Sequence, residues 1–260
     1  MPPVITAVYA CSRRRIRGSP QRGISAIRET GGEVVAFLDD DVVVDGKWLV
    51  NLRKAFLRED VDIAGGRIVP AFEAPVPDWL KGREFMLGGF TYLERHGEVR
   101  ERERIIGCNM AVRRRVFDEV GCFDEKFGGG SGVYPYGDES ELLRRTSAHG
   151  CRPVYLDDVV VHHAIQKERF TKESLARLYS TMGLCQGAGR ALLGKGAPVK
   201  SLAKLAGSTL RYLLTGRLRH RLYLSYRLGY IKGFMKERRR GSAGAGGTGR
   251  LAGAAPLPGE

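Results

Sequence analysis

Cysteine is scarce and scattered in this chain of 260 residues: Cys11, Cys108, Cys122, Cys151 and Cys185. An odd number without Cys-x-x-Cys spacing excludes a disulfide framework and a cysteine-held zinc site. The thiols read as reduced and mostly buried, as in a cytosolic protein. No run approaches the roughly 18–20 apolar residues that a membrane-crossing helix needs. The N-terminus has no apolar stretch behind a positive region, so no secretory signal is read there. Internal repeats are absent as well.

What is present is an ordinary globular composition, 43% hydrophobic and 28% charged. That length and composition suit one sizeable α/β domain with an appendage. The formal charge is +14, which calls for an anionic partner: nucleic acid, a membrane surface or a phosphorylated ligand. The excess lies at the ends. Arg13, Arg14, Arg15, Arg17 and Arg22 form one cluster, residues 200–240 hold the other, and the middle is nearly balanced.

Residues 34–38 (Val-Val-Ala-Phe-Leu) end abruptly in Asp39-Asp40-Asp41. A short β-branched run closed by acids reads as a buried parallel strand. Residues 48–57 have helical spacing with Asp45 as the expected N-cap, and residues 62–69 return as a strand, completing a βαβ unit. Residues 70–104 read as a surface excursion with Pro70, Pro75, Pro77 and Trp79. After it come an apolar segment from Ile105, a short helix closed by Gly121, and a glycine-rich loop at 128–137. A helix from Asp138 is closed by Gly150. Two short strands are expected at 153–156 and 159–162, with helices from 170 to about 240. The last twenty residues have the Gly/Ala/Pro composition of a disordered tail.

Asp39 and Asp41 project to the same side of an extended chain, with Asp40 opposite. Their mutual repulsion makes sense if a cation neutralises them, and such oxygen ligands suit Mg²⁺ or Mn²⁺ shared with a substrate diphosphate. The competing reading is a solvated acidic turn. In Gly137-Asp-Glu-Ser-Glu141, Asp138 and Glu141 could form a capping box. Glu139 is then left over, placed for general-base work under a glycine-rich loop. His162-His163 at a strand end suit structure, or contact with a metal or diphosphate. His149 suits the C-terminal end of its helix. Trp79 either pins its proline-rich loop to the core or stacks on a sugar ring as an acceptor-binding residue.

Taken in order, four segments resemble the family 2 glycosyltransferases, whose fold is GT-A. They are EVVAFLDDDVVVDGKWL (33–49), IIGCNMAVRRRVFDEVGCFDEKF (105–127), GDESELLRR (137–145) and VYLDDVVVHH (154–163). The resemblance implies a Rossmann-like mixed sheet flanked by helices and an inverting transfer from a nucleotide-diphosphate sugar. It implies that Asp39 faces the ribose side, that Asp41 binds the Mg²⁺ or Mn²⁺ on the diphosphate, and that Asp40 assists either. Gly107 and Asn109 line the donor-sugar site in that family's pattern. The family's acidic pair is reversed here as Asp138-Glu139, which aligns Glu139 with the general base. His162 aligns with a histidine that reaches the metal or diphosphate.

The match resumes cleanly from Gly23. The family's opening strands do not match residues 1–22, so we expect a catalytic domain at 23–165 missing its first strands. The preceding residues are expected as a non-family tail from a wrong start site or frameshift. A basic amphipathic helical extension is expected at 166–240, with a tail at 241–260. Leu202, Leu205, Leu210, Leu213 and Leu214 recur against Lys200, Lys204 and Arg211, a pattern suited to an anionic membrane surface. The expected setting is cytoplasmic, peripheral on the inner membrane face, with a glycan or lipid-linked acceptor in polysaccharide or cell-surface glycan synthesis. The alternatives are a non-catalytic truncated relative that binds glycans or a partner and, ranked below it, a basic nucleic-acid-binding protein. The central acids weigh against phosphate contact without a metal.

Overall fold

A computed structural model describes residues 3–10, 27–81, 105–128, 133–196 and 199–244. The chain divides into two compact units, Met1–Phe170 and Thr171–Glu260.

The first unit is a six-stranded mixed sheet. Its strands are β1 (Ile5–Ala10), β2 (Val34–Asp39), β3 (Val42–Val44), β4 (Ile63–Phe72), β5 (Asn109–Arg113) and β6 (Pro153–Ile165), in the order β1-β2-β5-β4-β6-β3. β1 runs parallel to β2 and β4 parallel to β6, while β5 is antiparallel to both β2 and β4. The expected βαβ unit is therefore present with β5 inserted between its two parallel strands.

β2 is buried on both faces, as its uninterrupted apolar run requires. Val35 and Phe37 pack with Met110, Val112, Phe117, Phe123, Leu142 and Leu143 on one face. Val34, Ala36 and Leu38 pack with Trp48, Leu52 and Phe56 on the other. Three helices supply these layers: α1 (Trp48–Phe56), α2 (Arg114–Val120) and α3 (Asp138–Ala148). The expected mixed sheet flanked by helices is present, and so is a helical C-terminal part.

Several details differ from the sequence reading. Residues 1–22, expected as a tail outside the family pattern, contain β1, whose Ile-Thr-Ala-Val-Tyr-Ala composition has strand propensity. The two strands expected at 153–162 form one thirteen-residue strand. Its register against β4 shifts between Gly66 and Arg67, so the irregularity lies inside a continuous ladder. Asp45 stands two residues before the helix N-cap, Lys47, and accepts from the Lys47 N–H at 2.9 Å. The capping box at α3 does not form. Gly137, at φ 100, is the N-cap, which places Asp138 inside the first turn and turns Glu141 towards Arg144 and Arg145.

Arginines tie the connections together. Arg113 donates to the carbonyls of Val61, Phe56 and Arg58, each at 2.8 Å. Arg145 pairs with Glu141 at 2.7 Å and donates to the carbonyls of Val120, Gly121 and Cys122. Part of the chain's positive charge is thus engaged internally. Four cysteines, Cys108, Cys122, Cys151 and Cys185, are free thiols as expected. Cys11, the first arginine cluster, most of the 70–104 excursion, residues 129–132 and most of the last twenty residues lie outside the described residues.

The second unit contains α4 (Lys172–Leu192), α5 (Val199–Thr215) and α6 (Leu218–Gly244). Thr171 caps α4, accepting from the Ser174 N–H at 3.0 Å. α4 and α6 meet backbone to backbone. A Cβ at Gly183 would overlap the Tyr226 carbonyl, and one at Gly187 the Tyr230 carbonyl. Gly229 and Gly233 stand in the same relation to the carbonyls of Ser180 and Leu184. Two Gly-x-x-x-Gly pairs therefore face each other, since residues four apart lie on one helix face. Among the described residues, no helix is long and apolar enough to cross a membrane.

Candidate functional site

The site gathers where β2, α3 and β6 end or begin. β2 stops at Asp39, Asp40-Asp41 make the turn, and β3 follows. Asp39 is half-buried, Asp40 exposed and Asp41 buried, which preserves the alternation expected from the triplet. Asp138 and Glu139 open α3, and their charges reach Asp39.

Crowded carboxylates shift one another. Burial raises the Asp39 carboxyl from 3.8 to about 6, reinforced by the charges of Asp41, Asp138 and Asp40 and opposed by His163. Glu139 is raised well above the usual carboxylate range. Burial of its carboxyl is the leading cause, followed by the charge of Asp138 and a hydrogen bond with it, with a further push from Asp39. The residue keeps some exposed surface elsewhere, but its carboxyl group lies among protein atoms.

Asp41 behaves oppositely. Burial alone would raise it, yet His163 and Arg169 outweigh that and hold it below the usual range. His163 Nε2 lies 3.2 Å from Oδ1 and Arg169 Nη2 lies 3.4 Å from Oδ2. His163 lowers it by side-chain hydrogen bonding and then by charge, while by strict hydrogen-bond geometry Asp41 Oδ1 is buried without a full partner among the described residues. Such an oxygen retains acceptor capacity for a cation.

The histidine at Asp41 is thus His163, not the His162 that the resemblance aligned with the metal. Val159, Val161 and His163 face inward along β6, and His162 is exposed on the other side. Period-two alternation carried that signal in the sequence. Arg169 was not anticipated. It lies on a single 3₁₀ turn, Lys167–Arg169, after β6, and no sequence motif marks it.

Asn109, expected at the donor sugar, is engaged within the protein. Its Oδ1 accepts from Trp48 Nε1 at 2.9 Å, and its Nδ2 donates to the carbonyls of Arg67 at 3.0 Å and Val159 at 2.9 Å. It ties β5 to α1, β4 and β6. Gly107 sits in the turn before it with open space where a Cβ would stand, so its backbone remains approachable. Trp79 is half-buried beside fully buried Leu80. His149 contacts the Arg145 carbonyl at 3.0 Å, at its helix end as expected.

Residues 16–121 match the model of glycosyl transferase family 2. The matched segment takes in the acidic triplet, Gly107 and Asn109, and starts seven residues before Gly23. It ends ahead of Asp138-Glu139 and the paired histidines.

A glucosyl-dolichyl phosphate glucuronosyltransferase of Haloferax volcanii is 28% identical over 155 residues, 57% of this chain and 50% of that protein. The chain thus spans about half the length of this curated relative. Among solved structures, a mannosyltransferase from Pyrobaculum calidifontis in complex with GDP-Man and Mn²⁺ is 16% identical. It aligns at a TM-score of 0.49 over 85% of this chain and 67% of its own. GalNAc-T7 with UDP, GalNAc and Mn²⁺ is 14% identical, with a TM-score of 0.42 over 89% of this chain and 45% of its own.

Proposed function

We propose that the protein is an inverting glycosyltransferase that moves a sugar from a nucleotide-diphosphate donor to an acceptor hydroxyl. The observation that carries this reading is the convergence of Asp39, Asp41, Asp138 and Glu139 into one cluster, in which neighbouring carboxylates raise Asp39 and Glu139.

The residues fit a divalent ion shared with the donor. Among the described residues no group of three or more His, Cys, Asp or Glu could hold a metal alone. Mg²⁺ and Mn²⁺ chemistry, however, needs only one or two carboxylates when substrate phosphates complete the shell. Asp41, with its unfilled buried oxygen, and Asp39 would hold it. When bound, the ion neutralises charge on the departing nucleoside diphosphate. Asp40, at the exposed tip of the turn, would assist on the donor side, and Gly107 offers backbone to the donor sugar. His163, beside Asp41, would take the contact with metal or diphosphate that the resemblance implied for His162.

Glu139 takes the proton from the acceptor hydroxyl, and the freed oxygen attacks the anomeric carbon from the face opposite the leaving group. Its raised pKa makes it a stronger base once ionised. Burial is the main source of that basicity, and Asp138 adds to it through its charge and a hydrogen bond. Trp79 is assigned to the acceptor side.

The acceptor we infer is a glycan or a lipid-linked sugar in polysaccharide or cell-surface glycan synthesis. The curated relative's dolichyl-phosphate name and the basic C-terminal helices support this. The working location is the cytoplasm, at the inner face of the membrane. Nucleic acid is not the partner, because the acidic cluster repels phosphates unless a cation intervenes.

The test is thermal unfolding with Mn²⁺ and a panel of UDP, GDP and dTDP. Ligand held by the folded state alone raises the midpoint. A shift for one nucleotide that is lost in Asp41→Ala identifies the donor. No shift with any of them favours a non-catalytic relative. The configuration of the product glycoside, read by NMR, decides inversion, and retention would overturn the assigned mechanism.

A further inference from the structure

The second unit carries a helix whose surface is divided into three strips. At 3.6 residues per turn, Val199, Leu202, Ala203, Ala206, Leu210, Leu213 and Leu214 of α5 fall within roughly one third of its circumference. All are exposed, and the large ones among them are between 49% and 75% exposed. Lys200, Lys204 and Arg211 form a second, exposed row along one flank of that strip. Ser201, Leu205, Thr209 and Tyr212 make the third, buried or half-buried. Ser201 lies on this strip, and its Oγ accepts from Arg227 of α6 at 3.4 Å.

An exposed strip of leucines is a liability in water, and at this size it marks a surface that meets something else. We propose that α5 is an interfacial helix that lies in the plane of an anionic bilayer, with the Leu202–Leu210–Leu213–Leu214 strip in the acyl boundary and the Lys200–Lys204–Arg211 row at the headgroups. This inference gives the membrane location proposed above a defined element.

Charge selects the occupant. α5 contains no acidic residue, and the segment that follows adds Arg217, Arg219 and Arg221 before the lone acid of α6, Glu237, which is buried. A second copy docking on this strip would set one cationic row against another, whereas an anionic headgroup layer neutralises both. Length agrees. Seventeen residues make a helix of about 26 Å, and three cations along its flank keep it at the surface, where basic rows and an apolar strip are used together. The glycine-packed α4–α6 pair is a rigid mount for it, because backbone contact leaves few side chains to rearrange.

The experiment is flotation of the full chain with vesicles of phosphatidylcholine alone and of phosphatidylcholine mixed with phosphatidylglycerol. Binding is expected to the anionic vesicles and to weaken with salt. Leu213→Gln/Leu214→Gln, at exposed positions that leave helicity unchanged by circular dichroism, should lower partitioning by about tenfold or more. Leu210→Trp should shift its emission to the blue when anionic vesicles are added.

Unchanged binding of the double glutamine variant would overturn insertion, because the cations alone would then carry adhesion. Absence of vesicle binding, with a concentration-dependent dimer that the variant dissolves, would overturn it in favour of a second copy. The nucleotide thermal shift of the same variant keeps this inference separable from the transferase reading. In that variant, loss of vesicle binding with an intact shift supports the inference; in the unsubstituted chain, absence of vesicle binding with an intact shift fails it alone, and vesicle binding without a shift fails the transferase reading alone.

Discussion

Asp39 shows how a carboxylate proposed to serve a ligand burdens the protein that carries it. Its folded-state pKa of about 6 lies above the ordinary 3.8. Its contribution therefore favours the folded state fully below pH 3.8 and is lost as pH rises through about 6. At neutral pH the group is charged, part-desolvated and repelled by its neighbours. Asp39→Asn should therefore stabilise the protein at pH 7 by about 1–3 kcal/mol, a rise of several degrees in Tm, while weakening nucleotide binding. Calorimetry beside a nucleotide titration checks both signs, and a destabilised variant would contradict the raised pKa.

In the proposed mechanism Glu139 and Asp138 divide the other role. Glu139→Gln should lower the transfer rate by roughly 10²–10⁴-fold with the fold intact. Asp138→Asn removes a charge that raises Glu139, so the acid limb of kcat/KM should move to lower pH. A limb that stays in place would show that Asp138 does not tune the base.

Among elements, the α4–α6 pair and the Asn109 tie make the firmest claims. At Gly187 any side chain meets the Tyr230 carbonyl, which cannot retreat without moving α6. Gly187→Leu should cost about 3 kcal/mol or more and abolish the cooperative melting of the helical unit. Gly189, two residues further on in the same helix, meets nothing within 4 Å. Gly189→Ala should instead stabilise by about 0.5–1 kcal/mol, since alanine is the better helix former. Thermal melts of the two variants should move in opposite directions. Removing the Asn109 amide would leave the Trp48 N–H and the carbonyls of Arg67 and Val159 without partners at the join of α1, β4, β5 and β6. Asn109→Ala should cost roughly 2–4 kcal/mol, read as a lowered Tm.

For the molecule as a whole, protons and a divalent ion compete for one carboxylate cluster. Raised Asp39 and Glu139 hold protons into the range where ordinary carboxylates are ionised. The proposed metal site needs Asp39 deprotonated, so Mn²⁺ affinity should rise with pH. The gain in Tm on adding Mn²⁺ should grow between about pH 5 and pH 7, a window set by the Asp39 value of about 6. A pH-independent gain would place the ion elsewhere. The net charge of +14 is also reduced in effect, because Arg113, Arg114, Arg115 and Arg145 are bound to carbonyls or acids inside the first unit. The cations left for a partner include the exposed Lys200, Lys204 and Arg211 of α5.

Much of this was legible in the order of the residues. Apolar patterning located β2, α1 and β4, and the closing glycines Gly121 and Gly150 marked α2 and α3, because a strand buried on both faces must be continuously apolar and helices commonly end at glycine. The acids at the end of β2 and the start of α3 followed from the same pattern. Local sequence could not show which strands are neighbours. β5 enters between β2 and β4, and β1 forms at the sheet edge, through pairings between residues far apart in the chain. The same non-local contacts decided the site's details: His163 and Arg169 reach Asp41 across 122 and 128 positions. Asn109 is held by a buried tryptophan and two carbonyls, partners that local sequence does not show. Composition and motif order determined the kind of chemistry this chain carries. The tertiary structure decided which side chains face one another, because burial and pairing are properties of distance in space.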